Sequence, residues 1–386
     1  MRPGSYNVVG NWRLAMHVHP LIFEPILKRR IWGGRRLERL GRTLPPDVPI
    51  GESWEIADLE DDQSVVRTGP AKGKTLRQLV ETWGNDLLGG VELFEGRFPL
   101  LIKFLDAAQT LSVQVHPDEA MAKSLGGNIR VKNEAWYIID AEPDGAIYHG
   151  LVDGVDREAF ATAVADGRVV ETLRRVPVRP GDCYYLPSGT VHALGAGVVV
   201  AEVQTPSDIT YRVYDWDRID TATGRARELH VEQALQCIHF GEPLPRQERS
   251  HVASLWTSVT RLVACDSFII ERVRMAEGFE QQIPPGGLVV WIVLEGRGEI
   301  TCPGPPGASE PLAFTVGDVV LLPAAPTGAR VKVLQDSMWL EVTVPQRSDL
   351  AGQRPQTPGL EQIRPPRSSD ATAGDQTGGE RPGRDS

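Results

Sequence analysis

The chain has 386 residues, enough for two domains with sizeable cores, and its net charge of −10 argues against a nucleic-acid surface. Its four cysteines, at 183, 237, 265 and 302, show no paired spacing, which argues against a disulfide framework or a cysteine-zinc site and fits a reducing compartment. Without the apolar run of a signal peptide or membrane span, it is expected to be a soluble cytoplasmic protein with no membrane partner.

Residues 1–15 carry no pattern, and Met16 is a second candidate start. His17 and His19 have the spacing of a metal pair, but they stand where a chain frays. Ile31-Trp32-Gly33-Gly34, followed by basic residues, reads as a loop. Gly51 to Ala57 reads as a strand, and Thr75 to Leu88 as a helix with Leu76, Leu79, Val80 and Trp83 on one face. Phe98 to Asp106 is an apolar strand interrupted by Lys103, whose burial is costly unless a partner is present or the side chain snorkels out. In Leu111 to Asp118, Val113 and Val115 alternate with Ser112, Gln114 and His116, and Pro117 stops the strand. Gln114 and His116 therefore share a face. Residues 118–128 form a short helix. Glu134 opens an aromatic and β-branched strand that runs to Asp140. Residues 155–176 read as another helix. Gly181-Asp182 launches a short strand that leads through Pro187 to His192. Val198 to Gln204 is a strand, and His230 to Cys237 a helix.

Gln-x-His alone is also what an exposed edge strand with a surface histidine would show. Glu134 and His192, each on a strand of its own, complete a nitrogen and oxygen donor set without thiolate. That set suits zinc or a similar divalent ion with room for a ligand. The expected fold is mainly β, of cupin (jelly-roll) type, with a few short helices. An internal repeat doubles it: Gly181-Asp182 through Leu186-Pro187 is echoed by Gly317-Asp318 through Leu322-Pro323, and Trp136 to Asp140 by Trp291 to Glu295. On that register Val289 replaces Glu134 and Gly328 replaces His192, so the second barrel keeps the strands and lacks the ligands. The expected division is a catalytic domain over 16–240, a degenerate barrel over 250–345 and a disordered tail over 347–386, poor in apolar residues.

The order Gln-x-His-Pro, Lys-x-Glu-x-Trp-Tyr and Pro-x-Gly-x-x-His-Ala resembles the type I phosphomannose isomerases in their short form. The likeness runs from about His19 to about Val344 and is strongest between Gly51 and Arg218. It implies an aldose–ketose isomerase that interconverts mannose 6-phosphate and fructose 6-phosphate through an enediol(ate). One zinc or other divalent ion would sit on Gln114, His116, Glu134 and His192. Lys103, Ser112 and Arg218 match phosphate contacts of the family, and Gly51 to Ala57 a segment lining its sugar pocket. Arg212, always charged, suits oxyanion stabilisation. Lys132, Glu202 and Asp208 compete for the role of general base. The implied partner is a small phosphosugar, handled by a monomer or weak dimer. Two other classes remain open at this point, a metal-dependent cupin oxygenase and a non-catalytic sugar-binding cupin.

Overall fold

The computed structural model describes residues 17–126, 129–220, 223–303, 310–325 and 328–346. The candidate start at Met16 and the tail from Arg347 onwards lie outside these. Six antiparallel strands form one sheet in the order Ile26–Gly34, Ile50–Ile56, Leu101–Ala107, Val198–Gln204, Glu134–Ala141 and Cys183–Leu186. Five form another, in the order Tyr211–Tyr214, Val113–Val115, His192–Leu194, Ala146–Leu151 and Leu173–Pro177. No helix among the described residues is long and apolar enough to cross a membrane.

The middle strands of the six-stranded sheet, Leu101–Ala107 and Val198–Gln204, are buried at every residue. Their alternation therefore has to serve two cores. Leu105, Val198, Val200, Trp136 and Ile138 face the five-stranded sheet, where they pack with Ile147 and Leu194. Ile102, Phe104, Val199, Ala201, Val203 and Tyr137 face the other way, into a core shared with Val263, Phe268, Ile270, Val290, Ile292, Leu340 and Val342. The apolar runs of the C-terminal half are covered in this way by the back of the six-stranded sheet. Among the described residues that half contributes eight strands to a nine-stranded sheet, whose ninth is Leu21–Ile22 from the start of the chain, with Leu21 opposite Leu321 and Ile22 opposite Val320.

The internal repeat is reproduced strand for strand. Glu134, Ala135, Trp136 and Tyr137 pair with Leu186, Tyr185, Tyr184 and Cys183. Val289, Val290, Trp291 and Ile292 pair with Leu322, Leu321, Val320 and Val319 in the same register. The turns match as well: Asp182 accepts from the Arg179 amide and Asp318 from the Thr315 amide, each at 2.9 Å. Even a buried tryptophan–carboxylate bond recurs, from Trp136 to Glu202 at 2.8 Å and from Trp291 to Glu341 at 2.9 Å.

What differs is the charge beside that bond. Lys103 stands opposite Glu202, whereas Glu271 stands opposite Glu341. Burial, with Glu271 adding to it against the Trp291 bond, pushes the Glu341 carboxyl up to about 7. The folded chain therefore holds a proton there in the acidic range after an unfolded chain has released its own. Rising pH then favours unfolding. Glu341→Gln, which never ionises, is expected to raise the melting temperature relative to the parent at about pH 8 and to give no such gain at about pH 4.

Two local readings need correction. Ile31 to Gly34 is the end of the strand Ile26–Gly34 and not a loop. Gly33 is there because backbones meet: a Cβ on it would lie 2.3 Å from the Gly51 nitrogen. Residues 155–176 are only half helical. Asp156 caps the helix Arg157–Ala165, Gly167 ends it at φ 70°, and after a single 3-10 turn Leu173–Pro177 joins the five-stranded sheet. The helix of residues 75–88 breaks at Gly84, and its four expected apolar residues are buried.

Candidate active site

The two sheets bring three acceptor groups together between them. His116 follows the strand Val113–Val115, His192 opens His192–Leu194, and Glu134 opens Glu134–Ala141 on the facing sheet. Each imidazole gives its Nδ1 proton to a carbonyl, His116 to Ile209 and His192 to Thr190, both at 2.8 Å. That fixes the tautomers and turns the bare Nε2 atoms inward. They face the Glu134 carboxylate at 3.4 and 3.2 Å. Both Glu134 oxygens are fully buried, and apart from the Lys132 ion pair on Oε1 they have no hydrogen-bond partner. Lone pairs converging in a buried space repel unless a cation joins them. Among the described residues this is the group of histidine, cysteine and carboxylate side chains placed to hold a metal ion, with donor atoms within 4.8 Å of one another.

Gln114 lies beside the three. Its amide lies 3.3 Å from His192 Nε2, and a half-turn of that amide presents the oxygen instead. Lys132 closes the other side, with Nζ 2.5 Å from Glu134 and 3.4 Å from His116 Nε2. Burial works to raise the Glu134 carboxyl, but the Lys132 charge outweighs it and holds it well below its ordinary range. Burial, seconded by the Lys132 charge, pushes His116 down to about 3, so its imidazole stays neutral and fit to ligate. The loops are tied to each other. The Gly189 amide donates to the His116 carbonyl, and Asn133, beside Glu134, accepts from the amide and hydroxyl of Ser188. His239 joins this network by packing its ring on Gly189 and bonding Asp118 at 2.8 Å.

Gln114 and Lys132 also line a cavity of about 450 Å³. Of the residues singled out in the sequence, Lys103, Ser112, Glu202, Asp208 and Arg212 line it too, as does Trp54. Arg218 stands outside the lining. It ion-pairs with Asp215, which it shares with Arg227, and Arg227 is the one that lines the cavity. His17 and His19 are elsewhere, with His19 Nδ1 bonded to the His17 carbonyl at 2.7 Å.

The floor of the cavity is a ladder of alternating charge. Arg30 bonds Glu52 at 2.7 Å, Lys103 reaches Glu202 at 3.1 Å and Gln204 at 2.7 Å, and Glu202 takes the Trp136 proton with its other oxygen. Burial opposes the Lys103 charge, but Glu202 and Glu52 raise its hold on the proton above the ordinary value. Glu52 is buried as well, yet Lys103 and Arg30 bring its carboxyl down to about 2. Lys103→Ala leaves two buried carboxylates short of a partner. It is expected to lower the unfolding free energy by about 3–5 kcal/mol, measured by urea titration.

Arg29, Arg30, Arg227 and His230 face this cavity and were not assigned from the sequence, whereas Glu52 lies in the Gly51 to Ala57 segment but was not singled out within it. The signal that exposed Lys103, a charge inside an apolar strand, was equally present at Glu52.

The Phosphomannose isomerase type I catalytic-domain family model matches residues 21–146. Mannose-6-phosphate isomerase ManA of Bacillus subtilis (strain 168) is 39% identical over 310 residues, 80% of this chain and 94% of that protein. The chain belongs to the type I phosphomannose isomerases. A mannose-6-phosphate isomerase of Streptococcus mutans is 36% identical over 310 residues, covering 79% of this chain and 92% of that one. The crystal structure of the mannose 6-phosphate isomerase from Bacillus subtilis superposes with a TM-score of 0.75 at 32% identity, covering 84% of this chain and 99% of that one. The mainly β, cupin-type architecture expected from the strand pattern is thus the family's own.

Proposed function

We propose that this chain interconverts mannose 6-phosphate and fructose 6-phosphate through an enediol(ate). The observation that carries the proposal is the buried His116–Glu134–His192 triad behind a polar cavity rich in arginine, in a chain of this family. Gln114, His116, Glu134 and His192 would hold one divalent ion, zinc being favoured by a nitrogen and oxygen set that lacks thiolate. When bound, such an ion supplies Lewis acidity towards sugar oxygens.

The remaining chemistry falls to side chains of the cavity. Arg212 neutralises charge developing on the sugar oxygens, because it cannot give up its proton and is held in place by Ser112 and Glu228. Of the three acid–base candidates, Glu202 has both oxygens engaged by Trp136 and Lys103. Asp208 is exposed at the rim. Lys132 is buried between the triad and the cavity, the position from which a group can move the proton between neighbouring carbons. The phosphate belongs to the basic side of the cavity, where Lys103 and Ser112 line it and Arg218 acts through Asp215.

Catalysis is assigned to residues 16–240, with 250–345 as a supporting barrel, in a cytoplasmic monomer or weak dimer. The four free thiols support a reducing compartment. A coupled assay on mannose 6-phosphate and on fructose 6-phosphate, run with and without chelator, tests the reading. Turnover in both directions that chelator removes and zinc restores is the expected result. Turnover that ignores chelator, or no turnover by metal-loaded protein, overturns it.

A further inference from the structure

We infer that Asn133 is the positioning residue through which the C-terminal half of the chain sets the affinity of the metal centre, and that Ser267 is its hold on that half. This rests on the metal-binding reading above and adds what orients the ligands from outside. Asn133 stands beside Glu134, and side chains of neighbouring strand residues leave opposite faces. Trp136, two beyond Glu134, packs towards the five-stranded sheet, whereas Ala135 and Tyr137 lie in the core shared with the C-terminal half. Glu134 and Asn133 continue that alternation. The carboxylate reaches the two histidines, and the amide reaches the far side of the same sheet.

There the amide meets the turn of residues 265–268, which joins the strands Thr257–Ala264 and Ile269–Met275 of the nine-stranded sheet. Its nitrogen donates to the Ser267 hydroxyl at 3.2 Å. Its oxygen accepts from the Ser188 amide at 3.1 Å and from the Ser188 hydroxyl at 2.9 Å. A backbone N–H can only donate, so the atom in front of Ser188 has to be the oxygen, and the nitrogen is left for Ser267. The main chain is pinned separately. The Asn133 amide donates to the Thr205 hydroxyl at 3.3 Å, and its carbonyl accepts from the Thr205 amide at 3.1 Å. With the backbone held, Ser267 governs what is left free, the rotation of the side chain.

That rotation bears on every ligand of the triad. Glu134 is the next residue. Ser188 lies two residues before Thr190, whose carbonyl takes the His192 Nδ1 proton. Gly189, between them, gives its amide to the His116 carbonyl at 2.9 Å. The turn on the other side is itself anchored to this sheet. The Cys265 amide closes it on the Phe268 carbonyl at 3.0 Å, and the Phe268 ring meets Tyr185, the strand partner of Ala135, edge-on at 6.3 Å. A shift of the turn is therefore passed through one amide to the loops that carry both imidazoles.

The test uses metal-loaded full-length protein and zinc itself as the probe, with the zinc Kd read by competition against a chromophoric chelator and the melting temperature read separately. Ser267→Ala is expected to raise the zinc Kd by about 10-fold, and Asn133→Ala by about 10- to 100-fold. Ser267→Thr keeps the hydroxyl and should restore most of the affinity. The double variant should bind zinc no more weakly than Asn133→Ala alone, because Ser267 acts through that amide, whereas a merely structural loosening would add its own loss. A zinc Kd for Ser267→Ala within about twofold of the parent overturns the inference, and so does an equal loss on Ser267→Ala in the Asn133→Ala background. A parent protein that binds no zinc removes the metal reading and this inference together. If the variants behave as expected but the parent fails to isomerise mannose 6-phosphate, the role of Asn133 stands and the proposed reaction falls.

Discussion

His116→Ala and His192→Ala are each expected to be purified without stoichiometric metal and to lose at least about 1,000-fold in kcat/KM for mannose 6-phosphate. The figure follows from the several kcal/mol that a Lewis acid contributes to a charged transition state, at about 1.4 kcal/mol for each factor of ten. Two imidazoles and one carboxylate supply the buried donors, so removing any of them leaves a pair that cannot close a coordination shell. Each variant should still fold, because the histidines contact carbonyls and one another and carry little of the apolar core. Elemental analysis and circular dichroism separate the two effects. Native metal content in either variant would refute the assignment. His239→Ala provides the graded case. Its ring packs on Gly189 and bonds Asp118, holding both ligand loops from outside, and its removal should weaken metal binding by about 10-fold without abolishing it.

A fragment ending at Gly241 is expected to be insoluble or unfolded. Phe104, Tyr137, Val199, Ala201 and Val203 would lose Val290, Ile292, Leu340 and Val342 from their shared core, and Leu21–Ile22 would lose its only strand partner among the described residues. Uncovering a large apolar side chain costs about 1.5–3 kcal/mol, and a few such losses equal the whole stability of an ordinary domain. Truncation after Gln346 removes none of the described strands and should leave metal content and isomerase activity intact. A soluble, fully active fragment ending at Gly241 would show that the second half gives the first no support.

The meeting of His116, Glu134 and His192 was legible because polar residues in strands that are otherwise apolar have few explanations, and each of the three breaks such a pattern, as Gln114 does beside them. The repeat was legible for a related reason, since glycine, aspartate and proline at fixed offsets mark the same turn twice. The arginines were not. Arg227 sits in a charged segment, Gly224-Arg225-Ala226-Arg227-Glu228, that reads like any solvated loop, and only its meeting with Asp215 gives it a task. Arg218 carried the better family match, yet the cavity is lined by its neighbour on the same carboxylate. Gly33 misled for the opposite reason. Glycine usually signals a turn, but here it lets one backbone touch another, and a single sequence cannot tell these uses apart.

The tryptophan–glutamate bond that recurs at Trp291 and Glu341 bears on how such a protein can change. The nine-stranded sheet keeps that bond, the strand register and the turn, although Val289 and Gly328 stand at the positions of Glu134 and His192. Architecture and reactivity are therefore written at different positions of the same strands. A lineage, or an engineer, can erase or redraw the reactive positions while the shell goes on folding.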